Sequence, residues 1–161
     1  MGIESGSSRM LELMGKKLSI EDMEKGIRLV KKHGITVTGS FILGLPTETK
    51  EEMKRTVELA LSLPLDGVTF FTFTPYPQTP LTDLARKHGW VSDDWRNYSG
   101  HPGTLPFVPA GMDADYLLKA QATAYRRFLI RPQYLFRHIG MFLNRGTATN
   151  AVKFLKALVS R

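Results

Sequence analysis

The chain has 161 residues, 42% of them hydrophobic and 23% charged, enough apolar material for the core of one ordinary domain. It contains no cysteine, which excludes disulfides, thiolate ligation of zinc or iron–sulfur clusters, and a cysteine nucleophile within these residues. The net charge of +7 is unevenly placed: residues 1–115 carry 13 basic and all 15 acidic side chains, whereas residues 116–161 carry nine basic and none acidic. His33, His88, His101 and His138 lie too far apart for two imidazoles to share a helix face, so no histidine metal site is expected. With no apolar run of about 18 residues and no basic-then-apolar start, the expectation is a soluble, cytoplasmic protein.

Residues 1–5 are predicted as the end of a strand, followed by a helix that Ser7 or Ser8 caps and that carries Met10, Leu11, Leu13 and Met14. Ser19 opens a second helix with Glu21 and Asp22 in its first turn. Ile20, Met23, Ile27 and Val30 give it an apolar stripe, and Gly34 is its left-handed stop. Ile35–Leu43 is rich in strand formers. Thr49-Lys50-Glu51-Glu52 is a capping box for a helix that runs to Pro64, and Val68–Phe73 is a strand expected to be buried on both faces. Pro75, Pro77 and Pro80 stiffen the next loop, with Pro80 suited to the first turn of a helix through His88. The order and spacing are those of βα repeats in a parallel sheet. Two and a half such units cannot close a barrel, which takes about six to eight strands. The sheet is then either open or a piece of a larger one, and a first residue one step before a strand end favours the piece.

After His88 the sequence predicts a turn, a short helix capped by Ser92, and Trp90 and Trp95 as packing anchors. Gly100, Pro102, Gly103, Pro106, Pro109 and Gly111 predict an irregular loop over 98–112, placed to cross the mouth of a barrel. Asp113–Phe128 is a helix with Leu117, Leu118, Ala124, Phe128 and Leu129 available for packing. Further helices are expected from Pro132 to about Leu143 and from Thr147 through Leu158. The organisation is thus 1–97 with the βα units, 98–112 as loop and 113–161 as a basic helical extension. Arg126, Arg127, Arg131, Arg137, Arg145, Lys153, Lys156 and Arg161 are open to three readings: solvated helix faces, contact with an anionic membrane surface through the last helix with Phe154 and Leu155, or nucleic acid. The lack of regularly interleaved aromatics disfavours nucleic acid.

In parallel α/β folds ligands sit at the carboxyl ends of strands. Three such ends are present. At the first, Glu4 either accepts hydrogen bonds from a ligand hydroxyl or ammonium or is simply a charge near a helix start. At the second, Gly44 permits a sharp turn and close approach to a flat ring, and Glu48 lies at the next helix start. A plain connecting loop explains the same residues. At the third, Tyr76 offers a ring and a hydroxyl on a proline-stiffened loop.

GIESGS, LMGKKLSIEDMEKGIRLVKKHGI, GSFILGLPTET, TFTPYPQTPL and YRRFLIRPQYLFRHI together resemble the C-terminal half of a radical S-adenosylmethionine (radical SAM) enzyme, most of all the group with a cobalamin-binding domain. The resemblance covers about residues 2–140. It implies an α/β fold, the C-terminal portion of a partial TIM-like (β/α)6 barrel with parallel strands 4–6, followed by an α-helical extension. It also implies S-adenosylmethionine, a [4Fe-4S] cluster on three cysteines outside this chain, and cobalamin in that group. Carried over by position, Glu4 contacts S-adenosylmethionine, Lys16 stands near the basic residue that meets its carboxylate, Ser40 contacts its ribose, and Ile42, Gly44 and backbone groups at Thr74 its adenine. Phe73 and Tyr76 face a small-molecule or lipid-like substrate. The expectation is an oxidoreductase or transferase whose parent is catalytic and whose isolated piece is not, and which self-associates through its uncovered edge. A tRNA-modifying methylthiotransferase and a noncatalytic half-barrel binding module are the alternatives.

Overall fold

A computed structural model describes residues 1–99 and 104–136. Local chemistry places most of its helices. α1 (Ser8–Leu13), α2 (Ile20–Lys32), α3 (Lys50–Ser62), α4 (Pro80–His88) and α5 (Ala114–Leu129) start after Ser7, Ser19, Thr49, Thr79 and Asp113, each of whose side chains accepts a backbone N–H of the first turn. The capping box at Thr49 is complete, because Glu52 reaches back to the Thr49 N–H while Thr49 accepts from the Glu52 N–H.

β1 (Gly2–Glu4), β2 (Thr38–Leu43) and β3 (Gly67–Thr72) form a parallel sheet in the order β1-β2-β3. β2 and β3 pair without a break from Thr38 opposite Gly67 to Leu43 opposite Thr72. Alternation along the strands sends Phe41 and Phe70, ring centroids 5.5 Å apart, to one face, where Ile3, Met23, Ile27, Met53 and Phe128 join them in the main core. The outer edge of β3 is closed by α5. Tyr125 Oη accepts the Phe70 N–H at 2.9 Å, and Gln121 Nε2 donates to the Phe70 carbonyl at 2.7 Å, so side chains take the place of a further strand.

Three expectations need correction. Burial on both faces of the third strand does not hold, since Phe70 is buried but Phe71 is 45% exposed on the face opposite the helices. The turn after His88 is β4 (Gly89–Val91), paired antiparallel with β5 (Phe107–Pro109), and a 3₁₀ helix (Trp95–Ser99) follows β4. β5 forms despite the breakers around it because an edge strand tolerates proline and because Phe107 buries its ring edge-on against Phe73, centroids 5.6 Å apart. Trp90 and Trp95 are exposed rather than packing anchors. Among the described residues the Trp95 ring meets that of Tyr98, centroids 4.8 Å apart and tilted by 42°.

The basic segment also divides. Arg131 lies 3.6 Å over the Phe128 ring and donates to the carbonyls of Leu61, Leu63 and Leu65 at 2.9–3.2 Å, closing the end of α3. Arg127 pairs with Glu58 at 2.8 Å. Residues 132–136 are helical, as expected from Pro132. The rest of that helix, the helix expected from Thr147, and Arg137, Arg145, Lys153, Lys156 and Arg161 lie outside the described residues. Among the described residues no helix is long and apolar enough to cross a membrane.

Candidate functional site

The sheet face turned away from α2, α3 and α5 forms the floor of a cleft of about 580 Å³. β1 contributes Glu4, β2 contributes Ser40 and Ile42, and β3 contributes Phe71 and Thr72. The following loop adds Phe73, Thr74, Tyr76 and Thr79, α4 adds Leu81, and the 3₁₀ helix adds Tyr98. Six of the eight residues singled out in the sequence (Glu4, Ser40, Ile42, Phe73, Thr74 and Tyr76) therefore share one cavity at the carboxyl ends of parallel strands. Lys16 and Gly44 stand apart from it. Lys16 lines a separate hollow of about 330 Å³ beside α1 and reaches the cleft only through Glu4, 3.4 Å from its Oε1. Gly44 faces the other way: a Cβ there would lie 3.0 Å from Leu117 of α5, and its φ of 74° makes the turn.

Glu4 is the one charged residue of the lining. Around it are hydroxyls of Ser40, Thr72, Thr74 and Thr79, and the walls toward α4 are apolar or aromatic. Such a cavity can orient a ligand that combines a flat apolar part with several polar groups and a cation. Tyr76 is held by its backbone, whose carbonyl accepts from Thr79 Oγ1 at 3.1 Å and Thr82 Oγ1 at 2.5 Å, while the residue is 62% exposed. Tyr98 is fixed by its hydroxyl, which donates to the Ser92 carbonyl at 3.0 Å.

The loops behind the cleft are bound by two buried carboxylates. Glu48 Oε2 accepts the N–H groups of Gly44 at 2.7 Å and Leu45 at 3.0 Å, whereas its Oε1 is buried without a partner. Burial pushes its carboxyl up to about 7. Glu52 is the opposite case. It accepts from Arg9 Nε at 2.9 Å and Nη2 at 2.5 Å, from Ser7 Oγ at 2.8 Å and from Thr49, and the Arg9 hydrogen bonds above all hold it down at about 2. Arg9 also donates to Thr47, so one guanidinium ties the first turn of α1 to the β2–α3 loop. The sequence did not single out Arg9 or Glu52. The capping box flagged Glu52 only as a helix-start residue, and its long-range partners have no local signature.

Residues 1–60 match the model of the radical SAM superfamily. An uncharacterized methyltransferase of Pyrococcus horikoshii is 33% identical over 150 residues, which is 90% of this chain and 32% of that protein. An anaerobic magnesium-protoporphyrin IX monomethyl ester cyclase of Cereibacter sphaeroides is 30% identical over 165 residues, covering 100% of this chain and 26% of the cyclase. A tRNA-2-methylthio-N(6)-dimethylallyladenosine synthase of Aromatoleum aromaticum is 31% identical over 85 residues, 52% of this chain and 19% of the synthase. The chain thus spans a third or less of each of these relatives. The family match takes in the strands that carry Glu4, Ser40 and Ile42 to the cleft, and residues 1–60 are a segment of the radical SAM superfamily.

Proposed function

We propose that this chain supplies part of the S-adenosylmethionine pocket and of the substrate wall of a radical SAM enzyme, within a parallel (β/α)6 barrel. The observation that carries this reading is the convergence of Glu4, Ser40, Ile42 and Thr74, from three strand ends, on the cleft that Phe73 and Tyr76 also line. Glu4 accepts hydrogen bonds from the ligand's ammonium or hydroxyl groups, and Lys16 steadies that carboxylate while offering charge to the ligand's own. Ser40 meets the ribose, Ile42 lies against the adenine, and backbone groups at Thr74 hold the ring edge. Gly44 serves the turn, its N–H being already taken by Glu48. No cysteine is present, and the described residues contain no group of three metal-ligating side chains, so these residues do not fit the [4Fe-4S] cluster. Cobalamin is assigned to no residue of this chain.

The uncharged walls formed by Phe71, Phe73, Leu81 and Tyr98 suit a small or lipid-like substrate. A methyltransferase or cyclase type of reaction is favoured over tRNA modification because the first two relatives align along nearly the whole chain and the synthase along half of it. Membrane-surface contact through the basic end and self-association through the β1 edge are further parts of the proposal. Calorimetry tests the pocket: this chain should bind S-adenosylmethionine more weakly than low micromolar, and Glu4→Ala with Ser40→Ala should weaken it further. The activity is tested by anaerobic reconstitution of a full-length protein containing this chain. It should yield 5′-deoxyadenosine under reduction, and a reconstituted protein that yields none overturns the reading.

A further inference from the structure

Among the described residues, three that are not glycine have positive φ: Glu4 at 71°, Thr47 at 65° and Gln78 at 64°, one in each of the regions that follow or end β1, β2 and β3. Glu4 alone of these lines the cleft. Its φ and the hydrogen bond from the Ser5 N–H to the Ile3 carbonyl, 3.0 Å, make it the centre of a three-residue γ-turn of the strained hand, and the pairing of β1 with β2 shifts register there. Such a conformation persists only where the residues on either side are pinned. Before Glu4, Ile3 is fully buried in the core. After it, Ser5 is fully buried and its Oγ lies 3.1 Å from Thr56 Oγ1, which also accepts the Gly6 N–H at 3.0 Å and donates to the Glu52 carbonyl at 3.1 Å. Gly6 is pressed so closely on α3 that a Cβ would meet the Arg55 carbonyl oxygen at 2.5 Å. Ser7 completes the seam through Glu52.

We infer that Thr56, on α3 and away from the cleft lining, is a positioning residue: its hydroxyl pins Ser5 and Gly6 and so holds Glu4 in the strained turn that presents its carboxylate to the cleft. The inference rests on the reading of the cleft as a ligand site only for the purpose of the strain, since the strain itself is measurable without a ligand. Glu4→Ala removes the carboxylate and keeps the strained backbone, whereas Glu4→Gly removes both. In this chain, thermal unfolding should place Glu4→Gly roughly 3 °C or more above Glu4→Ala. In a Thr56→Val background, where the loop is free to relax, that gap should fall by half or more. Thr56→Ser, which retains the hydroxyl, should preserve it. A purely structural Thr56 would lower every melting temperature and leave the gap untouched, because independent effects add. The inference is overturned if Glu4→Gly is no more stable than Glu4→Ala, or if the gap is the same with valine and threonine at position 56. Should Thr56→Val not fold, the same comparison with Ser5→Ala, which removes the other hydroxyl of the pair, decides in its place. A reconstituted full-length protein that yields no 5′-deoxyadenosine, with the coupling intact in this chain, would count against the pocket and leave the positioning role standing.

Discussion

The two faces of the parallel sheet are built from alternate residues of the same strands, and adjacent positions have opposite fates. Phe70 is buried between Phe41 and Tyr125, while its neighbour Phe71 is 45% exposed in the cleft. The helix-covered face holds the fold through burial and close packing, whereas the cleft face gives up burial to keep a cavity lined by hydroxyls, rings and one carboxylate. Exposed residues on the second face, such as Phe71, are therefore replaceable as far as folding is concerned, whereas Phe70 on the first is not.

The sharpest break of that comparison is Phe70→Ala. Removing a fully buried ring at the junction of β2, β3 and α5 should cost about 3–5 kcal/mol in denaturant unfolding. Next comes Glu52→Gln at the seam between loops, which should cost about 1–3 kcal/mol at neutral pH because several donors lose a charged acceptor. It carries a pH signature. The Glu52 carboxyl is lowered in the folded state to about 2 from the ordinary 4.5, so its contribution is complete above about pH 4.5 and is lost as pH falls toward 2. The wild-type chain should lose stability relative to Glu52→Gln through that window, and parallel curves would sink the assignment.

Glu48 should behave with the opposite sign. Its carboxyl is raised to about 7, so the folded state binds the proton more tightly than the unfolded chain, and stability is lost as pH rises from about 4.5 through 7. Glu48→Gln should gain on the wild type by about 1–2 kcal/mol between pH 5 and pH 8, measured as the change in their stability difference. The smallest effect on folding belongs to the cleft face: Phe71→Ser should move stability by no more than about 0.5 kcal/mol. An equally large loss for Phe71→Ser and Phe70→Ala would erase the distinction between the faces.

Much of the architecture was legible because it is local. Ser7, Ser19, Thr49, Thr79 and Asp113 act within a turn of themselves, and the β-rich runs mark the strands at 38–43 and 67–72, although the exposure of one face of the latter was not legible. The β4–β5 hairpin was not legible. Its residues sit among prolines and glycines, and what orders Phe107 is the Phe73 ring far away in the chain. Trp90 and Trp95 misled in the same way, since size and apolarity argue for burial but only tertiary packing supplies a partner. In the cleft, Glu4 and Tyr76 were singled out by their strand-end positions and Ser40 by the family resemblance. Arg9 and Thr56 were missed because their work is done across more than 40 residues of chain.

The sequence by itself determined where the helices start, where the parallel strands run, and that these residues bring no thiolate to a metal. Those properties depend on side-chain chemistry and on distances within a turn or a strand. Only the tertiary structure decided that Phe71 stays uncovered while Phe70 is sealed by α5, that Arg131 closes α3, and that Gly44 turns its back on the cleft. It also decided that Glu48 and Glu52, four residues apart, hold their protons so differently. The physical reason is that desolvation, and the satisfaction of each buried polar group, are set by whatever the fold brings alongside, and sequence spacing carries no record of it.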